Sequence, residues 1–70
     1  MEEYMELIVT LYNGSKIRVA KQGYSVEIWE SGEWKILACF PGTVDGYTQA
    51  QALAEHECSS YSEVRIQQFF

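Results

Sequence analysis

One histidine, His56, and two cysteines, Cys39 and Cys58, have the side chains best suited to nucleophilic or metal chemistry. A general base must reach a positioned nucleophile, and His56 sits between Glu55 and Glu57 with none beside it. Cys58 is two residues further on, a spacing that sends the two side chains to different sides of a helix. His56 therefore reads as a solvated surface residue. Zinc sites place Cys and His at short repeated spacings, and Cys39, His56 and Cys58 offer no such pattern. Each glycine stands alone in a turn, with no Gly-rich loop entering a helix to cradle a phosphate. The expectation is a protein that is not an enzyme and uses no metal or other cofactor.

Carboxylates are the more abundant resource. Glu27, Glu30 and Glu33 cluster in one stretch, and Glu2, Glu3 and Glu6 load another. Catalytic carboxylate pairs need a pocket, which residues on a sheet face and its rim do not have. Such charges keep a small protein soluble and protect strand edges. They can also present a negative surface to a basic groove, where carboxylates stand in for phosphates and speed association. Trp29 lies among them. It is either covered by the stem of Lys16 as a cation–π pair or left as an interface anchor, a role in which tryptophan is enriched.

The chain has 70 residues and a net charge of −5 at pH 7, with ten acidic and five basic side chains. A body with pI near 4.6 repels a phosphate backbone, so direct nucleic-acid binding is not expected. No apolar run approaches the roughly 20 residues of a spanning helix, and Met1-Glu2-Glu3-Tyr4 lacks the basic start of a secretory leader. Those features predict no membrane attachment, a cytoplasmic protein (host cytoplasm if phage-encoded) and both thiols reduced, with a Cys39–Cys58 disulfide as the alternative. A hydrophobic fraction of 47% is enough for a single folded domain over residues 1–70.

The elements that must position these groups begin with two Gly-punctuated hairpins between Met5 and Ala38. With Tyr12-Asn13-Gly14 as a three-residue loop, Leu11 faces Ser15, Val9 faces Ile17 and Leu7 faces Val19, which leaves Ile8, Thr10, Lys16 and Arg18 on the other face. A two-residue loop would mix charge and hydrocarbon on both faces, so the sorted register is expected, with Gly14 at positive φ. The same test on Glu30-Ser31-Gly32 pairs Ile28 with Trp34, Val26 with Ile36, Tyr24 with Ala38 and Glu27 with Lys35, and puts Gly32 at positive φ. Gln22-Gly23 as a tight turn would join the hairpins, setting Val19 against Val26 and Arg18 against Glu27.

Phe40-Pro41-Gly42 ends the fourth strand. Thr48-Gln49-Ala50-Gln51 has the capping-box form and predicts a helix to Glu57, with Thr43 or Asp45 as an earlier cap. Ala50, Leu53, Ala54 and Cys58 or Glu57 make its inward stripe, with Tyr47 just before. Glu63 to Phe70 alternates as a fifth strand that runs parallel to the fourth. The expected fold is α+β, a four-stranded antiparallel meander with one helix on one face and a C-terminal strand, ββββαβ, in the order 4-3-2-1-5. Of Phe69 and Phe70, one should tuck under the helix and the other point outward as a contact for a homodimer or another partner.

These readings converge on a small acidic protein-binding module with Glu27, Trp29, Glu30 and Glu33 as its contact residues. The most concrete form is a phage-type inhibitor, of the anti-CRISPR or restriction-blocking class, occupying the basic surface of a nucleic-acid-binding protein. The alternative is a homo-oligomeric accessory or structural protein that uses a sheet edge or the Phe69-Phe70 end.

Overall fold

The computed structural model describes residues 6–69. Among them the order is β1 (Glu6–Thr10), β2 (Lys16–Ala20), β3 (Gly23–Glu30), β4 (Glu33–Pro41), α1 (Val44–Glu57) and β5 (Val64–Phe69). The α+β class and the element sequence are as expected, and the strand order is not. β1 and β2 form a separate two-stranded sheet, while β4, β3 and β5 form a second sheet with β3 in the middle.

The first hairpin takes the sorted register, with Leu7 opposite Val19, Val9 opposite Ile17 and Thr10 opposite Lys16. Leu11 N–H donates to the Ser15 carbonyl at 2.7 Å, Gly14 N–H returns to the Leu11 carbonyl, and Gly14 has φ +88°. Ile8, Thr10, Lys16 and Arg18 are exposed, whereas Val9, Leu11, Ile17 and Val19 are half-buried. The hairpin leaves the main sheet at Lys21-Gln22, and no β2–β3 ladder forms.

β5 occupies the place beside β3 that β2 was expected to fill. The β3–β5 ladder sets Val26 against Ile66 and Ile28 against Val64 under the helix, and Glu27 against Arg65 on the other face. Both faces of that pairing are matched, which a local reading of the Gln22-Gly23 turn does not reveal. Gly23 is no tight-turn glycine here. It lies where a Cβ would meet the Phe40 carbonyl oxygen and, at 2.9 Å, the Phe69 ring.

The second hairpin departs from expectation in a way that matters for the site. Its turn is a two-residue loop, Ser31-Gly32, with both residues at positive φ (56° and 80°) and Glu30 opposite Glu33. That is the type I′ pattern, whose twist suits a tight hairpin. The register is therefore shifted by one near the turn, which brings Trp29 opposite Trp34 and Glu27 opposite Ile36. A bulge then absorbs Leu37, so that Ala38 is opposite Val26 and Tyr24 is opposite Phe40. Trp34 and Ile36 thus face away from the helix, whereas Ala38 stays on the helix side.

α1 starts earlier than the capping box suggests. Thr43, in extended conformation, accepts a hydrogen bond from the Gly46 N–H on its Oγ1 at 3.0 Å and is the N-cap, while the Thr48 hydroxyl donates to the Val44 carbonyl. Gly46 and Ala50 are buried, Leu53, Ala54 and Glu57 are half-buried, and Cys58 is exposed. The Tyr47 ring packs on Tyr24 at 5.1 Å. A helix of this length spans about 21 Å, close to the ~20 Å of a six-residue strand, so it carries the chain back along the sheet to begin β5 parallel to β4.

The fully buried core is small: Val26, Ile28 and Ala50. The body is elongated, 45 × 26 × 15 Å, and its radius of gyration of 12.5 Å exceeds the ~11 Å of a compact chain of this size. Leu7 remains 40% exposed and Ile8 69%. No helix among the described residues is long and apolar enough to cross a membrane.

Candidate interaction surface

Alternation along β3 sends Ser25, Glu27 and Trp29 to the face opposite the helix, and the ladders bring Cys39, Ile36 and Trp34 of β4 and Gln67 and Arg65 of β5 beside them. Arg65 is the hub of this face. Its Nε donates to Glu27 Oε1 at 2.7 Å, its Nη2 reaches the same oxygen at 2.7 Å, and its guanidinium stacks 4.0 Å from the Trp34 ring centroid. The Ser25 hydroxyl donates to Glu27 Oε2 at 3.1 Å. Trp29 meets Trp34 edge-on, with centroids 5.3 Å apart and planes at 70°. A ladder of contacts therefore runs from Ser25 through Glu27, Arg65 and Trp34 to Trp29.

That arrangement changes the role of the residues singled out from sequence. Glu27 is 12% exposed and both of its oxygens are engaged, so it is an internal partner of Arg65 rather than an open carboxylate. The expected Glu27–Lys35 and Arg18–Glu27 pairs do not form. Trp29 is on the expected face but is half-buried against Trp34, and the cation over an indole is Arg65, not Lys16. Phe69 does not tuck under the helix: it sits opposite Gly23 on the other face, half-buried. Phe70, Glu2 and Glu3 lie outside the described residues.

Above this face lies the inner side of the first hairpin. Leu7 and Val9 close a cleft of about 300 Å³ over Ser25, Ile36, Cys39 and Phe69. The tip of β1 anchors it, through the Tyr12 N–H donating to the Ile36 carbonyl at 2.7 Å on the outer edge of β4. Both cysteines are free. Burial, and secondarily the charge of Glu27, push the Cys39 thiol above its ordinary value of 9.0. The Cys58 thiol is exposed and donates to the Glu55 carbonyl.

The other named carboxylates meet at one end. Glu30 and Glu33 flank the Ser31-Gly32 turn, Glu30 pairs with Lys35 at 3.3 Å, and Glu33 is exposed with no ion pair among the described residues. The helix C-terminus arrives at the same end. Tyr61, just after it, has its phenol pushed above the ordinary value of 10.0 by burial, then by the charges of Glu30 and Glu57 and by Tyr12. Glu63 joins them, because its carbonyl accepts the Trp29 N–H at 3.0 Å. Glu30 and Glu57 thus stand near Tyr61 at the turn end of the sheet, where Glu33 flanks the turn, Glu63 begins the approach to β5, and Lys35 is paired with Glu30. Tyr61, Glu57, Glu63, Trp34 and Arg65 were not among the contact residues expected from sequence, which placed Trp34 and Glu57 toward the core instead. Their roles depend on β5 pairing with β3, for which the chain carries no local signal. His56 is 81% exposed at its side chain, 4.0 Å from Glu57. No group of three or more His, Cys, Asp or Glu side chains among the described residues is placed to hold a metal ion.

No protein-family model, no curated protein and no solved structure matches this chain.

Proposed function

We propose that this chain is a non-enzymatic protein-binding module whose acidic end docks on a basic surface of a protein partner. The observation that carries the reading is the nearness of Glu30 and Glu57 to Tyr61, beside the turn that carries Glu33, at one end of an elongated body with net charge −5. Charge concentrated at an end makes a field that steers association, and an aromatic ring among the carboxylates supplies contact area that charge alone lacks. Lys35 of β4 and Arg65 of β5 are tied to Glu30 and Glu27, so they compete little for a partner. A groove that normally holds phosphates is a surface of the complementary kind. An inhibitor of a nucleic-acid-binding protein is accordingly the finer form of the proposal.

The test is capture of partners from lysate on the immobilised chain at low salt, followed by binding kinetics with the captured protein. The association rate should fall as salt rises, and Glu33→Gln with Glu57→Gln should lower it further with little change in dissociation. Tyr61→Ala should mostly speed dissociation. Affinity that is indifferent to salt and to all three substitutions rejects the acidic end as the contact.

A further inference from the structure

We propose that the outer edge of β5 is a homodimer interface, on which β5 of a second copy pairs antiparallel about a two-fold axis at Ile66. Among the described residues β5 is an edge strand, paired on one side only, with β3. The Trp29 N–H bond to the Glu63 carbonyl fixes the parity of that ladder: residues 63, 65, 67 and 69 turn their backbone groups toward β3. Val64, Ile66 and Gln68 therefore aim N–H and C=O outward, a row of donors and acceptors with no strand partner among the described residues that can template another strand.

The opposite edge of the sheet shows what protection looks like in this molecule. β4 carries a bulge at Leu37, ends in Pro41 and has its outer Ile36 carbonyl taken by Tyr12. The hairpin strands carry Glu6, Lys16 and Arg18. β5 has no proline, glycine, lysine or bulge, and its charged residue, Arg65, turns its head inward onto Glu27 and Trp34.

Register selects the second copy as occupant. Centring on Ile66 pairs Val64 with Gln68 of the partner subunit and Ile66 with Ile66 of the partner subunit, giving about six backbone hydrogen bonds. Arg65 then faces Gln67 of the partner subunit, whereas sliding the axis by one residue toward the strand's start would set Arg65 against itself. The antiparallel arrangement also separates the acidic ends: the two Glu63 residues stand about 20 Å apart along the strands, roughly twice the Debye length at physiological salt. Self-association on this edge uses the backbone of β5 and none of Glu30, Glu33, Glu57 or Tyr61, so the two proposals stand or fall separately.

The test is light-scattering mass of the full chain between about 1 µM and about 1 mM. The expected result is a concentration-dependent rise to twice the 8.1 kDa chain mass. Gln68→Pro removes an outward N–H without touching the β3 ladder and should raise the dimer dissociation constant at least about tenfold, with the circular dichroism spectrum retained. Should that variant fail to fold, Gln67→Lys, at an exposed position, puts a cation opposite Arg65 of the partner subunit and should weaken the dimer in a salt-dependent way. A mixed-isotope sample should show an inter-chain Hα–Hα contact between Arg65 and Gln67. A chain that is monomeric throughout, a dimer indifferent to both substitutions, or a β5 edge that takes a strand from a different protein overturns the proposal.

Discussion

Replacing Arg65 by methionine isolates the charge of the hub, because the stem remains to cover Trp34 while the ion pair and the cation–π contact are lost. Glu27 is left 12% exposed, holding only the Ser25 hydroxyl. Removing one partner of a fully buried pair costs about 3–5 kcal/mol and of an exposed one below about 1 kcal/mol. Here the carboxylate is close to the first case, but the Arg65 side chain is 41% exposed, which lowers the cost. The stacked guanidinium adds about 0.5–1 kcal/mol. The expected loss is about 2–3 kcal/mol, near half the stability of a domain this small. The assay is urea denaturation followed by tryptophan fluorescence, which is well placed because the chain's two tryptophans, Trp29 and Trp34, both lie on this face. A double-mutant cycle with Glu27→Gln should return a coupling of at least about 1 kcal/mol. A loss below about 0.5 kcal/mol, or no coupling, would show that the pair is solvated and that the hub does not hold β5 to β3.

Three further outcomes follow from particular residues. Ser31→Asn creates the Asn-Gly pair that type I′ turns favour in place of a serine at φ 56°, and should raise the melting temperature by about 2–8 °C; no rise would mean the turn is not of that type. Helix propensity alone makes Gly46→Ala stabilising by about 1 kcal/mol, but its Cβ would collide with the Pro41 carbonyl oxygen, so a loss of about 2 kcal/mol or more is expected. Gly42→Ala, whose nearest neighbour is 3.4 Å away, is the control for Gly46→Ala and should change stability by less than about 1 kcal/mol. Mass-mapped alkylation at pH 8 should label exposed Cys58 well before Cys39, since a raised thiol pKa leaves less thiolate at that pH, and the Cys39 rate should keep climbing above pH 9. Equal rates would contradict the burial of Cys39.

Legibility followed how local each decision is. The first hairpin was readable because only one loop length sorts Leu7, Val9, Leu11, Ile17 and Val19 from Lys16 and Arg18. The helix stripe through Ala50, Leu53 and Ala54 was readable for the same reason, periodicity against a single cover. Its start was ambiguous, since Thr43 and Thr48 are both competent caps; Thr43 takes the role, with the Gly46 N–H on its hydroxyl and Gly46 pressed on Pro41. The strand character and direction of β5 were legible, but its neighbour was not. Val64 and Ile66 fit any apolar face, and the choice of β3 over β1 lies in the joint fit with Val26, Ile28 and Glu27. The candidate site inherited that gap: Glu27 belonged to Arg65, and the acidic end needed Glu57, Tyr61 and Glu63 brought to the Ser31-Gly32 turn.

The second hairpin shows why sorting faces failed there although it succeeded in the first. Sorting the faces assumes unbroken alternation from Trp34 to Ala38, and under that assumption the two-residue turn puts Trp34 and Ile36 on the wrong face. The bulge at Leu37 removes the assumption. Before it, β4 presents Trp34 and Ile36 to the face of Arg65 and the first hairpin; after it, Ala38 returns to the helix side, where a small residue lets α1 lie close. One inserted residue thus lets a single strand serve two covers of different shape, an aromatic platform for a stacked guanidinium on one side and a shallow seat for a helix on the other. Deleting the bulge would force a choice between them. The strain of a serine in the left-handed region at the turn, about 1 kcal/mol, is small beside the contacts that the shifted register makes available to Trp29, Trp34 and Arg65.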